Sequence, residues 1–140
     1  MTAQPEMRAG PIRVLIADDD PMVRSALTQL IQSRSELVLV GAAADAQEAV
    51  AMTVATHPDV AVIDYRMPGG GDFATREIIK QSPGTAVLCL TAYDNPATES
   101  RLLQAGAMEL IVKGKSTIEE IVASIIAAGT RDQHDPKTAG

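Results

Sequence analysis

The chain has 140 residues, 46% of them hydrophobic and 21% charged, with a formal net charge of −6. That length suits one domain with a proper core, and the acidic balance argues against unaided nucleic-acid binding, which draws most of its affinity from a basic face. No apolar run approaches the roughly 18 residues that cross a bilayer, and the opening MTAQPEMRAGP lacks the apolar centre of a secretory signal.

In chain order, residues 1–11 read as a flexible tail, and IRVLIA (Ile12–Ala17) as a buried strand that runs into the acidic cluster Asp18, Asp19, Asp20. Pro21 opens a helix expected over 21–34, with Met22, Val23, Ala26, Leu27, Leu30 and Ile31 on one apolar stripe. LVLVGAA is the second strand. Asp45 caps a helix through AQEAVAMTVATH, with Val50, Val54 and several alanines facing inward. The third strand is the apolar run Val60, Ala61, Val62, Ile63, which delivers Asp64 to its carboxyl end and stops at Pro68 and three glycines. A helix over 73–81 follows, then the strand TAVLCLTA, then a helix over DNPATESRLLQAG closed by Gly106 as C-cap. Residues 108–112 form the fifth strand. Ser116 is expected to cap the last helix, TIEEIVASIIAAG, with Glu119 in capping-box position, and 129–140 read as a flexible tail or linker. The lone Cys89 lies inside an apolar run, where a buried, inert thiol in a cytoplasmic protein is expected.

Five strands alternating with five helices predict an α/β fold, a parallel sheet covered on both faces. In such a sheet the carboxyl ends of the strands share one rim, where ligand chemistry gathers. Asp18 and Asp19 end the first strand, Asp64 the third, Thr91 the fourth and Lys113 the fifth. Each has an ordinary explanation alone, as a cap, a turn residue or a solvated strand end. Together they make a chemical constellation. Carboxylates about 4 Å apart repel by about 4 kcal/mol at an effective dielectric near 20, and a divalent cation removes that cost. An all-oxygen site suits Mg²⁺, and no Cys/His ligand spacing competes with it, since His57 and His134 are isolated. A cation and Lys113 would neutralise a phosphoryl group arriving at Asp64, the natural nucleophile, with Thr91 donating to a phosphoryl oxygen.

The segments VLIADDDPMVR, DVAVIDYRMPGGG, VLCLTAYD and AGAMELIVKG resemble the receiver domain of two-component response regulators over nearly all of 12–128, and DDDPMVR resembles the branch with a LuxR-type DNA-binding output domain. The resemblance implies a doubly wound, flavodoxin-like receiver fold with strand order 2-1-3-4-5. It implies Asp64 as phosphoacceptor, Asp19 as a direct Mg²⁺ ligand with Asp18 beside it, the Arg66 carbonyl completing the metal shell, Thr91 as switch hydroxyl and Lys113 as phosphate partner. The implied partner is a sensor histidine kinase. The face made by the helix at 95–105, the fifth strand and the last helix carries the neighbours of Thr91 and Lys113, so a second copy of the chain or a partner is expected there rather than at the helix over 21–34. The implied role is a signalling receiver with self-catalysed phosphoryl transfer and slow autodephosphorylation, rather than a turnover enzyme.

Three places depart from the family pattern. Leu110 stands where an aromatic residue is usual, Gly114 follows the lysine where proline is usual, and the loop after Pro68 is one residue short. With Gly114 a trans Lys113–Gly114 bond is expected, since a cis bond without proline costs ~3 kcal/mol. The stripe Ile118, Ile121, Val122, Ile125, Ile126 is more apolar than one core-facing side needs. Two alternatives stay open: a Mg²⁺ phosphatase with an aspartyl nucleophile, disfavoured because Arg66 occupies the place of the usual second acid, and a receiver-like protein-binding module that is never phosphorylated. A nucleotide or flavin domain lacks its Gly-rich loop after the first strand and has few aromatic rings to stack.

Overall fold

Strand β3 (Val60–Asp64) is buried at every position, because sheet neighbours flank it on both sides and helices cover both its faces. The computed structural model describes residues 10–92 and 95–131. The order of elements is β1 (Ile12–Ala17), α1 (Pro21–Gln32), β2 (Leu37–Ala43), α2 (Ala46–Thr56), β3, α3 (Gly71–Gln81), β4 (Ala86–Thr91), α4 (Pro96–Ala105), β5 (Glu109–Val112) and α5 (Ile118–Arg131). All strand pairs are parallel and the sheet order is β2-β1-β3-β4-β5, as expected.

The alternation of side chains along the strands builds two apolar layers. Val14, Ile16, Val60, Val62, Leu88 and Ile111 face α1 and α5, meeting Leu27, Ile31, Val122 and Ile125. Leu15, Ala61, Ile63, Val87 and Cys89 face the other way, onto Ala46 and Ala49 of α2, Ala74 and Ile78 of α3 and Leu102 of α4. Burying both faces of three central strands is the main stabilising contribution, at about 25 cal/mol per Å² of apolar surface.

Several boundaries differ from expectation for local reasons. Helix α1 ends at Gln32, and Ser33 closes it by donating its N–H and its hydroxyl to Leu30 O and its N–H to Gln29 O. Of its expected stripe, Leu27 and Ile31 are buried and Val23 and Leu30 pack at the margin, but Ala26 is exposed and Met22 is 80% exposed, in the first turn. In α2 the inward positions are Ala46, Ala49 and Thr53. Val50 packs at the margin and Val54 is exposed, one step round the helix from Thr53. Helix α3 starts at Gly71, two residues early, and leaves Phe73 exposed. Asn95 caps α4 and Gly106 is its left-handed C-cap, while Asp94, where the sequence predicts that helix to begin, lies outside the described residues. Strand β5 starts at Glu109 rather than Met108. The cap of α5 is Thr117, not Ser116, and the helix runs through 131, beyond the boundary expected at 128. The rest of both expected tails, 1–9 and 132–140, lies outside the described residues.

The loop leaving β3 turns sharply. Gly70 N–H donates to Met67 O (2.8 Å), closing a turn with Pro68 and Gly69 at its centre, and Gly69 has φ +89°. Proline then glycine is what a type II turn demands, because its third residue needs positive φ. This economy lets α3 begin close behind the strand end.

Candidate functional site

Four of the expected site residues sit at strand ends on one rim. Asp18 follows the last residue of β1 and is fully buried. Its Oδ1 accepts from the Asp20 N–H (2.9 Å), and its own carbonyl accepts from Arg24 Nη1 (2.7 Å), so backbone and side chain are both fixed. Asp19, next in the chain, is exposed, and Asp20 is the N-cap of α1, accepting from the Met22 N–H. Asp64 closes β3 with 3% exposure. Thr91 closes β4 with 1% exposure, and its carbonyl accepts the N–H of Lys113 (2.8 Å), which ties the ends of β4 and β5 together.

Lys113 unites the site. Its Nζ lies 2.9 Å from Asp64 Oδ1 and 3.2 Å from Asp18 Oδ2, so one ammonium bridges two buried carboxylates. The sequence leads one to expect a link to Asp64 only through a phosphoryl group, and it gives no sign of the bridge to Asp18. That bridge spans β1 and β5, which are separated in the sheet by two strands, so no local pattern announces it. No peptide bond among the described residues is cis, so Lys113–Gly114 is trans. Gly114, at φ +85°, sits in a turn closed by Lys115 N–H donating to Val112 O (3.1 Å), and this turn takes the place of the usual proline. Leu110 is half-buried and packs into the apolar layer beneath α4.

The electrostatics follow from burial. Desolvation pushes the Asp64 carboxyl above its ordinary value; the nearby charges of Asp18 and Asp19 add to this, and the hydrogen bond from Lys113 opposes it. For Lys113, burial favours the neutral amine, but the bonds and charges of Asp64 and Asp18 outweigh it, and its pKa rises. Carboxylate oxygens of Asp18, Asp19 and Asp64 all lie within 4.8 Å of one another. The Lys113 ammonium offsets one of three carboxylate charges, and each close carboxylate pair repels by about 3–4 kcal/mol at an effective dielectric near 20. The donor set is hard oxygen only, and Asp19 is open to water, so the cluster fits a small divalent cation that keeps part of its hydration. His57, the C-cap of α2, has its ring on Ser82 and takes no part, while His134 lies outside the described residues. The carboxylates and Lys113 line an open cleft of about 310 Å³ with Asp20, Arg66 and Ala92, room for a cation and a phosphoryl group. Arg66 is exposed on its rim.

The family model of the response regulator receiver domain matches residues 14–126. The response regulator GacA of Pseudomonas viridiflava is 35% identical over 122 residues, covering 86% of this chain and 57% of that protein. The probable transcriptional regulatory protein NarL of Mycobacterium tuberculosis is 34% identical over 131 residues, covering 92% of this chain and 60% of that protein. The chain thus spans less than two thirds of these curated relatives. Among solved structures, the signal receiver domain of the NarL response regulator from Mycobacterium tuberculosis superposes with a TM-score of 0.81 at 33% identity, over 86% of this chain and 97% of that one. A two-component response regulator of the LuxR family from Aurantimonas superposes with a TM-score of 0.80 at 33% identity, over 87% of each chain. With its sheet order, its rim of acids, hydroxyl and lysine, and a family match over most of its length, the chain belongs to the response regulator receiver domain family.

Proposed function

We propose that this domain is a phosphorylation-controlled receiver in which Asp64 accepts a phosphoryl group from a sensor histidine kinase in the cytoplasm. The observation that carries this reading is the Lys113 ammonium shared between Asp64 and Asp18 beside an exposed third carboxylate. An Asp64 oxygen attacks the phosphorus of a phosphohistidine as its P–N bond breaks. The electron pair stays with the leaving imidazole, which takes up a proton, and an acyl phosphate forms on Asp64. Asp19 and Asp64 would hold Mg²⁺ with the Arg66 carbonyl, and Asp18 would join partly through water. Bound there, the cation supplies charge neutralisation for the phosphoryl oxygens. Lys113 carries the second compensating charge, and Thr91 donates its hydroxyl to a phosphoryl oxygen. Water attack on the acyl phosphate later restores the carboxylate and releases inorganic phosphate, so the state is timed rather than permanent.

The similarity to GacA and NarL supports a transcriptional output, with the receiver unit running from Ile12 to the end of α5. A LuxR-type DNA-binding domain in the full-length protein is part of this proposal. The decisive test is intact mass after incubation with Mg²⁺ and acetyl phosphate. One phosphate adduct is expected on the wild type and none on Asp64→Asn. An adduct that persists in Asp64→Asn overturns the assignment, and no adduct on the wild type with either acetyl phosphate or phosphoramidate leaves a receiver-like binding module.

A further inference from the structure

The start of α3 approaches the phosphoacceptor segment more closely than any side chain would allow. A Cβ built on Gly71 would collide with the Asp64 carbonyl oxygen and lie 2.7 Å from Tyr65 Cα. These are backbone atoms of the buried strand end and of the residue just after it, so they have little room to yield. At the same point the Gly71 N–H donates to the Tyr65 carbonyl (3.0 Å). Its own carbonyl accepts from the buried Thr75 Oγ1 (2.8 Å), and that hydroxyl also lies 3.4 Å from Cys89 Sγ on β4. Cys89 is paired in register with Ile63, the residue before Asp64. The chain of contacts therefore closes a loop: β4 through Cys89 to Thr75, Thr75 to Gly71, Gly71 to the backbone just after Asp64, and β3 back to β4.

We propose that Gly71 is a positioning residue for the phosphoacceptor segment, braced by Thr75. It fixes the path of the backbone from Asp64 to Arg66, and with it the two oxygens that would face the cation. The inference rests on the proposed Mg²⁺ and phosphoryl site, and goes beyond it by assigning a role to residues that touch neither ligand. It also accounts for the early start of α3, since the short loop leaves only a glycine able to enter the space behind Asp64.

The test is Mg²⁺ affinity, read by amide NMR shifts on folded protein, alongside urea unfolding. Gly71→Ala is expected to bind Mg²⁺ about tenfold more weakly, as when a residue supporting metal ligands is lost. Gly129→Ala is the packing control. Its Cβ would lie 2.6 Å from Ile12 Cγ2, at the opposite end of β1 from Asp18, and it is expected to lose stability with Mg²⁺ affinity unchanged. Should Gly71→Ala fail to fold, Thr75→Val and Thr75→Ser decide the matter: the valine variant weakens Mg²⁺ binding several-fold, and serine, which keeps the hydroxyl, restores it. Wild-type affinity in Gly71→Ala, or in Thr75→Val, overturns the proposal. Absence of Mg²⁺ binding by the wild type would instead overturn the functional reading on which it rests.

Discussion

Lys113 holds two buried acids with one ammonium. A phosphoryl group on Asp64 would offer the ammonium more negative charge than a carboxylate does, so the lysine can exchange partners without leaving the cleft. Asp18, Asp64, Thr91 and Lys113 are legible in the sequence because each ends an apolar β-branched run, where a charged or hydroxyl residue stands out. The Asp18–Lys113 pair is not legible, because it joins residues 95 apart in the chain across non-adjacent strands. Cys89, on the neighbouring strand, is buried as its apolar run implies, and burial raises its thiol to about 11 from an ordinary 9.0. A folded-state value above the unfolded one means its contribution to stability is intact below pH 9 and is lost as pH rises through 11. Urea unfolding across that window should show the wild type losing ~2–3 kcal/mol more than Cys89→Ala, because a tenfold difference in proton affinity between the folded and unfolded chains is worth about 1.4 kcal/mol. Equal slopes for the two proteins would contradict a buried neutral thiol.

Periodicity and caps locate the elements, and they mislead where two registers compete. Ser116-x-x-Glu119 and Thr117-x-x-Glu120 are overlapping capping boxes, and sequence alone offers no means to choose between them. The choice follows the Gly114 turn: Lys115 bonds back to Val112, and the chain enters α5 one residue later than expected. There the Glu120 N–H donates to Thr117 Oγ1 (3.1 Å) and the Thr117 N–H donates to Glu120 Oε1 (2.8 Å). Thr117→Ala should therefore cost ~1 kcal/mol in chemical denaturation, while Ser116→Ala should change stability by less than about 0.5 kcal/mol, as surface substitutions do. The reverse ranking would put the cap back at Ser116. In α2 the difficulty is of another kind. Its apolar residues, many of them alanine, surround the helix, so pattern cannot say that Thr53 faces inward and Val54 outward. Packing against the sheet decides it.

At the scale of the whole molecule, the rim and the proposed output face are joined by β4 and β5. The bond from Lys113 N–H to Thr91 O couples the ends of β4 and β5, so a shift of either residue toward a phosphoryl group would be shared by the other. The sequence pattern suggests surplus apolar residues on α5, but Val122 and Ile125 are buried and Ile121 and Ile126 pack against the core. Only Ile118 of that stripe is left exposed, with Leu103 of α4 and Met108 before β5 as the other large exposed apolar residues of this region. Among the described residues the exposed contribution is thus three side chains on different segments rather than one helix face. Half-buried Leu110, in place of an aromatic, gives β5 no ring to swing between inside and outside. Phosphorylation is therefore expected to favour a second copy or a partner at α4, β5 and α5 by a modest shift, because a ligand moves an equilibrium only by its differential affinity for the two states. Sedimentation with and without a beryllofluoride phosphoryl mimic should show increased association of the wild type. Arg101→Glu, which reverses an exposed charge on α4, should weaken that response. An equal response in both proteins would move the output surface to another part of the molecule.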